Sequence, residues 1–241
     1  MMTNQSISQR LHDNLGRIIT ATPPGGRLPS EPTLAKQLGV SRATLREAMR
    51  TFETQGLIRR RQGSGTYVSH PSGVIDSGLE VLESIETMAD RTSLEVKMGE
   101  LKVERRSARE DEVKGLGLTV NHEVITLSRV ILAEERPVAY LIDTLPSDIL
   151  TTEELEESFT GSVLDLLLKR GSPALHYSRS EINAVTAPSD IARMMNIQRG
   201  DVLLRFNAQL YSAEGRVVDY SFSYFLPGYF RFHVVRRLSK A

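Results

Sequence analysis

The chain has no cysteine and no tryptophan, and aromatic residues make up only 6 % of its 241 positions. Without cysteine there is no disulfide framework and no thiolate metal site. No apolar run approaches the ~18 residues that a membrane span needs. The first ten residues, MMTNQSISQR, lack the basic stretch and apolar core of a secretion signal. Together these absences lead to the expectation of a soluble, cytoplasmic protein with no membrane partner. Net charge is missing as well: 30 basic residues balance 30 acidic ones, which on its face argues against a polyanionic partner.

That zero is an average over two unlike halves. Residues 1–70 carry ten Lys/Arg against four acids, a net +6, whereas the rest of the chain carries 20 against 26, a net −6. A basic segment joined to an acidic one implies two domains, only one of which is suited to a polyanion. The length agrees, at roughly 100–200 residues per domain. The expected division is 1–70, a linker over 71–89 beginning at His70-Pro71-Ser72-Gly73, and 90–241.

In the basic segment, Ile7, Leu11, Leu15, Ile18 and Ile19 recur at helical spacing and predict an amphipathic helix over about 5–20, stopped by Pro23-Pro24-Gly25-Gly26. Ser30 is a good N-cap for a short second helix, with Pro32 in its first turn and Leu34, Ala35 and Leu38 as its apolar stripe. Gly39 ends it. Ser41 caps a third helix that buries Leu45, Ala48, Met49 and Phe52 and ends with Gly56 as its C-cap. Two short helices joined by a turn containing glycine form a helix-turn-helix. The first residues of the second helix of such a unit reach base edges in the major groove. Here they are Arg42, Thr44 and Arg46, with Arg50 one turn on. An arginine fork suits guanine O6 and N7, and Arg42 and Arg46, four residues apart, share a face. Residues 57–68 then read as strand, Gly63-Ser64-Gly65 tip, strand. Glycines at the tip allow close approach to a phosphate, and Arg59-Arg60-Arg61 on the first strand supply positive charge. A winged helix-turn-helix that binds double-stranded DNA is therefore expected.

The stretch LPSEPTLAKQLGVSRATLREAMRTFETQGLIRRRQGSGTYV, residues 28–68, resembles the DNA-binding domain of GntR-type bacterial transcription regulators. The resemblance implies contacts to DNA from Ser30, Ser41, Arg42, Thr44, Arg46 and Arg50, and from Gly63 and Gly65 at the wing. One position departs from the family: Pro32 stands where an arginine after the Ser-Glu pair commonly contacts the operator.

The acidic segment opens with Leu79, Val81, Leu82, Ile85 and Met88, which read as a connecting helix or as a strand-and-helix lead-in. Beyond it lies an internal near-repeat offset by 79 or 80 residues, matching Ala108 with Ala187, Leu118 with Ile197, Arg136 with Arg216 and Tyr140 with Tyr220. Each copy reads as strand (97–107; 174–186), short helix (110–116; 188–195), long strand (123–133; 201–212), turn and second strand (137–145; 216–226). Two copies give an α+β domain whose antiparallel sheet has about six strands, with helices on one side. Between them, Gly161-Ser162 caps a helix that Gly171 ends. This half resembles the UTRA effector domain of the HutC branch of the GntR family, with its chorismate-lyase-like fold. The echoes are Gly161 to Leu167, Ala187 to Leu204 and Glu214 to Ser221.

By position, that resemblance implies a small-molecule effector site at Arg129, Gly161, Ser162, Asp219, Ser221 and Tyr224. The residues themselves leave alternatives open. Ser162 at a helix N-terminus suits an anion or a plain cap, and Arg129, sharing the face of Leu127 and Ile131, needs an anionic ligand or an acid such as Asp143 or Asp219. Ile131 and Leu141 stand where sugar-phosphate binders carry Arg and Glu, and Pro227-Gly228-Tyr229 replaces their polar lead into the last strand. The expected pocket is thus less cationic and more apolar than a sugar-phosphate site.

No Ser/His/Asp order, phosphate loop or histidine pair at metal spacing appears, so catalytic residues, metal and cofactors are expected to be absent. The leading expectation is a repressor whose homodimer meets a two-fold operator and responds to an effector. The alternatives are a DNA-binding dimer without ligand response and a lyase-like enzyme.

Overall fold

A computed structural model describes residues 7–61, 63–69, 74–91 and 94–237. The linker read at His70–Gly73 lies outside the described residues. The head begins with α1 (Ile7–Ala21), α2 (Glu31–Leu38) and α3 (Arg42–Thr54). The Ser30 and Ser41 hydroxyls accept the backbone N–H of Thr33 and Thr44, at 3.4 and 3.1 Å, and so fix where α2 and α3 start. Gly39, at φ 67°, turns the chain out of α2. The C-cap of α3 is Gln55, one residue before the expected Gly56; the glycine takes the following left-handed position, φ 66°. Leu15, Leu34, Leu45, Met49, Phe52 and Ile58 close the head's core. The wing pairs β1 (Ile58–Arg61) with β2 (Gly65–Val68). The Leu28 N–H to Thr66 and the Val68 N–H to Gly26, both 2.8 Å, tie its outer edge to the loop before α2.

The lead-in to the acidic half is a strand and a helix, β3 (Ile75–Gly78) and α4 (Ile85–Asp90). The spacing from Leu79 to Met88 is not one helix: Leu79, Val81 and Leu82 are exposed, and Ile85 and Met88 buried. β3 runs parallel to β10 (Phe230–His233), the last strand, to which the sequence reading assigned neither bounds nor a partner.

The six-stranded antiparallel sheet has the order β4-β5-β6-β9-β8-β7. Its strands are β4 (Val96–Ser107), β5 (Glu123–Ala133), β6 (Arg136–Pro146), β7 (Leu175–Thr186), β8 (Val202–Ser212) and β9 (Val217–Phe225). The near-repeat is visible in that order. Each half contributes three neighbouring strands, and the halves join through β6 and β9 in the middle. Helices cover both faces, not one as the sequence suggested. The repeat helices α5 (Glu110–Leu116) and α8 (Ser189–Met194) pack on one face, where Gln209 donates to the Gly115 carbonyl at 2.6 Å. On the other, α6 (Thr152–Ser158) and α7 (Val163–Arg170) bury Leu155, Val163, Leu166 and Leu167 against Ile125, Leu127 and Leu145. α4 joins them on that side. The physical reason is that strands buried in a single sheet present apolar residues on both faces, and each face must be covered.

Candidate functional site

The outward face of α3 carries Arg42, Thr44 and Arg46, all exposed, with Ser41 at its start and Ser30 exposed nearby. Ser41 and Thr44 share a hydrogen bond between hydroxyls of 2.8 Å, so the first turn is rigid. Arg42 makes no ion pair among the described residues. Arg46 leans on Glu31 at 2.8 Å, and Arg60 reaches the same carboxylate at 3.5 Å. The Arg46 hydrogen bond holds the Glu31 pKa below its ordinary value. Gly63, at φ 75°, opens onto free space at the wing tip, whereas Gly65 backs onto the Arg27 guanidinium.

Two arginines expected to face DNA are turned elsewhere. Successive residues of a strand point to opposite faces. Arg60 therefore stays at the surface while Arg59 is buried, pairs with Glu134 at 3.2 Å and lies 4.7 Å from the centre of the Tyr229 ring. The arginine run on β1 is thus not wholly the electrostatic element expected of it. Arg50 reaches Asp201 at 3.0 Å. With Arg136–Glu53 at 2.7 Å, these pairs seat the head on the acidic half. At the centre of the contact Gly56 and Gly228 meet backbone to backbone. A Cβ on Gly228 would lie 1.9 Å from the Gly56 Cα, so no larger residue fits.

Between the sheet and α4, α7 and β10 lies a cavity of about 570 Å³. Arg129, Ser162, Asp219 and Ser221 all line it. Gly161, at φ 122°, stands just behind, where its missing Cβ would sit 3.2 Å from the Glu86 carboxylate. Tyr224 does not belong to this group. Asp219, Ser221 and Ser223 share one face of β9, and by the alternation of a strand Tyr224 takes the other; it is paired with Tyr140 and Arg205 and lies outside the cavity lining.

Of the two acids weighed for Arg129, Asp143 is its partner, in a buried ion pair. Asp219 lies against Asp143 and accepts the Thr144 N–H at 3.2 Å. Its burial, and then the neighbouring Asp143, push its pKa well above the ordinary carboxylate value. The Ser162 hydroxyl accepts the Asp165 N–H at 3.0 Å and so caps α7 while facing the cavity. Sequence reasoning missed Glu86, Ser223, Ser178 and Ser180, all in the lining. The parity that joins Asp219 to Ser221 and Ser223 could have found one of them. Glu86 lies in a stretch with no motif. Among the described residues no group of three or more His, Asp or Glu is placed to hold a metal ion.

The model of bacterial regulatory proteins of the gntR family matches residues 3–68, and that of the UTRA domain matches residues 92–231. The chain belongs to the GntR family of transcription regulators, in its UTRA-bearing branch. Among curated relatives, the HTH-type transcriptional repressor NagR of Bacillus subtilis is 28 % identical over 88 % of this chain and 86 % of its own length. The mannosyl-D-glycerate transport/metabolism system repressor MngR of Escherichia coli is 27 % identical over 96 % and 94 %. The histidine utilization repressor of Pseudomonas putida is 25 % identical over 79 % and 75 %. In architecture the chain is similar to PhnF of Mycobacterium smegmatis, with a TM-score of 0.65 and 22 % identity over 95 % of this chain and all of that one. As a member of this family the chain is a DNA-binding regulator, not an enzyme, and no helix among the described residues is long and apolar enough to cross a membrane.

Proposed function

We propose that this GntR-family regulator is a repressor that binds a two-fold operator as a homodimer, each head laying α3 in a major groove. Arg42 and Arg46 read or grip the DNA from the α3 face, Ser30, Ser41 and Thr44 hold the backbone, and Gly63 lets the wing tip approach a phosphate. Arg50 joins them only when it leaves Asp201. The division we assign is a head over 1–70, a connector over 71–89 and an effector domain over 90–241. The effector enters the cavity against Arg129, Ser162, Asp219 and Ser221, with Gly161 behind. The observation that carries the reading is that an exposed arginine-bearing α3 and a cavity lined by Arg129, Ser162, Asp219 and Ser221 sit on one chain, whose two parts touch at Gly56 and Gly228. Relatives named as repressors support the sign of regulation.

Light scattering on the pure protein, followed by electrophoretic shift on its own upstream DNA, tests this. A dimer giving one discrete complex at moderate salt, weakened steeply as salt rises, is expected. A monomer, or only diffuse salt-sensitive smearing on every fragment, overturns it.

A further inference from the structure

The cavity floor carries more carboxyl groups than cations. Three carboxyl groups (Glu86, Asp143 and Asp219) face a single guanidinium, that of Arg129. Arg129 is already paired with Asp143, and so is not a free cation for a ligand phosphate. Glu86 is half-buried and makes no ion pair among the described residues; its burial pushes its pKa up. Withdrawing a carboxylate from water is costly, and Arg129, the cation that offsets part of that cost at Glu86, is bound to Asp143. Arg129 is itself 4 % exposed, and its buried Nε has no hydrogen-bond partner. A buried donor left unsatisfied needs an acceptor from somewhere. The walls add Ser84, Ser162, Ser178, Ser221 and Ser223, whose hydroxyls can donate or accept.

We infer that the effector is a small protonated amine that also carries hydroxyl or carbonyl oxygens, its ammonium seated at Glu86 and an oxygen meeting the Arg129 Nε. This rests on the reading of the cavity as the effector site and names the ligand chemistry of that site. The charge count disfavours a phosphorylated or carboxylated sugar, because a second anion beside Glu86 and Asp143 would face like charge with no uncommitted cation to meet it.

The test compares matched probes by calorimetry and thermal shift on the full-length protein. On a hexose scaffold these are D-glucosamine, D-glucose, D-glucuronate and D-glucose 6-phosphate. On a five-carbon chain they are 5-aminopentanol, 1,5-pentanediol and 5-hydroxypentanoate. The amine of at least one scaffold should bind at least tenfold tighter than its neutral and anionic partners. Glu86→Gln should erase that preference while leaving the unliganded protein folded. Glu86→Asp, which keeps the charge, should retain part of it. Tighter binding of a phosphate or carboxylate, insensitive to Glu86→Gln, overturns the amine inference but leaves the effector cavity standing. If no probe of either scaffold binds, the amine inference is overturned. Binding of any of these probes that is unchanged when Ser221 is replaced by the bulkier Phe would tell against the cavity itself.

Discussion

The contact between head and effector domain turns on two glycines, and Gly228→Ala isolates it. Gly228 lies outside the left-handed region of backbone space, so alanine there is free of backbone strain. The new methyl would stand 1.9 Å from the Gly56 Cα and 2.1 Å from its nitrogen, and ordinary carbon contacts begin near 3.4 Å. The obstacle is backbone, which cannot rotate aside, so the surfaces must part by roughly 1.5 Å at this point. The flanking pairs then open: Arg136–Glu53 from 2.7 Å, Arg50–Asp201 from 3.0 Å and Arg59–Glu134 from 3.2 Å. Partly exposed pairs of this kind are worth about 0.5–1 kcal/mol each. The cation–π contact of Arg59 on Tyr229, at 4.7 Å, adds about 1 kcal/mol. The total loss is about 2.5–4 kcal/mol of docking energy, a factor of roughly 60 to 700 in the docked population. Differential scanning calorimetry should show the head melting apart from, and below, the effector domain, and small-angle scattering should show a more extended particle. An unchanged single transition with an unchanged scattering profile would refute the reasoning.

Four further outcomes follow from particular residues. Arg42→Ala should weaken operator binding by about 1–3 kcal/mol if it reads a base edge, or weaken binding to all sequences alike and flatten the salt slope by about one if it grips phosphate; fluorescence anisotropy across salt distinguishes the two, and no effect on either removes it from the interface. Arg106→Ala strands Glu112, which it holds by two bonds of 2.7 and 2.6 Å. The buried carboxylate, now below its ordinary pKa because these partners outweigh burial, should cost about 2–4 kcal/mol in urea unfolding near neutral pH, less as pH falls below 4.5. Asp219 has its folded pKa raised, so folding takes up a proton and stability drops as pH climbs from 3.8 through the raised value. Asp219→Asn should remove that fall and be the more stable protein at neutral pH, and superimposable stability–pH curves would contradict it. Glu135 sits at φ 61° in the tight turn between β5 and β6; Glu135→Gly should stabilise by about 0.5–1 kcal/mol by relieving left-handed strain, measured as a shift in urea midpoint.

Much of the fold was legible because short-range chemistry sets it. Ser30, Ser41 and Gly39 mark helix ends through bonds to the nearest backbone groups, and each falls where the sequence places it. The duplicated strand–helix–strand–strand pattern predicted the six-stranded sheet. The misses are long-range. β10 is only four residues long, and it pairs with β3, more than 150 positions earlier; nothing local to Phe230–His233 announces that partner. Arg59 sits in a run of arginines that reads as a surface stripe, and its burial depends on Tyr229 and Glu134 arriving from the other domain. Tyr224 is a different kind of miss. The parity of β9 was readable, and it separates Tyr224 from Asp219 and Ser221; the positional analogy overrode it.

The two halves of the effector domain repeat one strand–helix–strand–strand pattern, and their differences mark where each is used. Arg136 and Arg216 occupy matching positions, each just past a hairpin turn. Arg216 closes on its own domain, meeting Asp148 at 2.6 and 2.8 Å, while Arg136 reaches out to Glu53 of the head. The turn before Arg216 uses Gly215 at φ 82°, where glycine is unstrained. The turn before Arg136 places Glu134 and Glu135 at φ 49° and 61° instead, at a cost of about 1 kcal/mol or more per residue. Glu134 offsets part of that cost by pairing with Arg59 of the head. On the cavity side the first half supplies the buried Arg129–Asp143 pair and the second supplies the buried Asp219. Both halves meet the head, the first through Glu134 and Arg136 and the second through Asp201 and Gly228. Two adjacent strands, β5 and β6, carry Arg129 and Asp143 at their middle and Glu134 and Arg136 at their shared turn. A ligand that shifts the Arg129–Asp143 pair would act on a hairpin whose turn also contacts the head through Glu134 and Arg136.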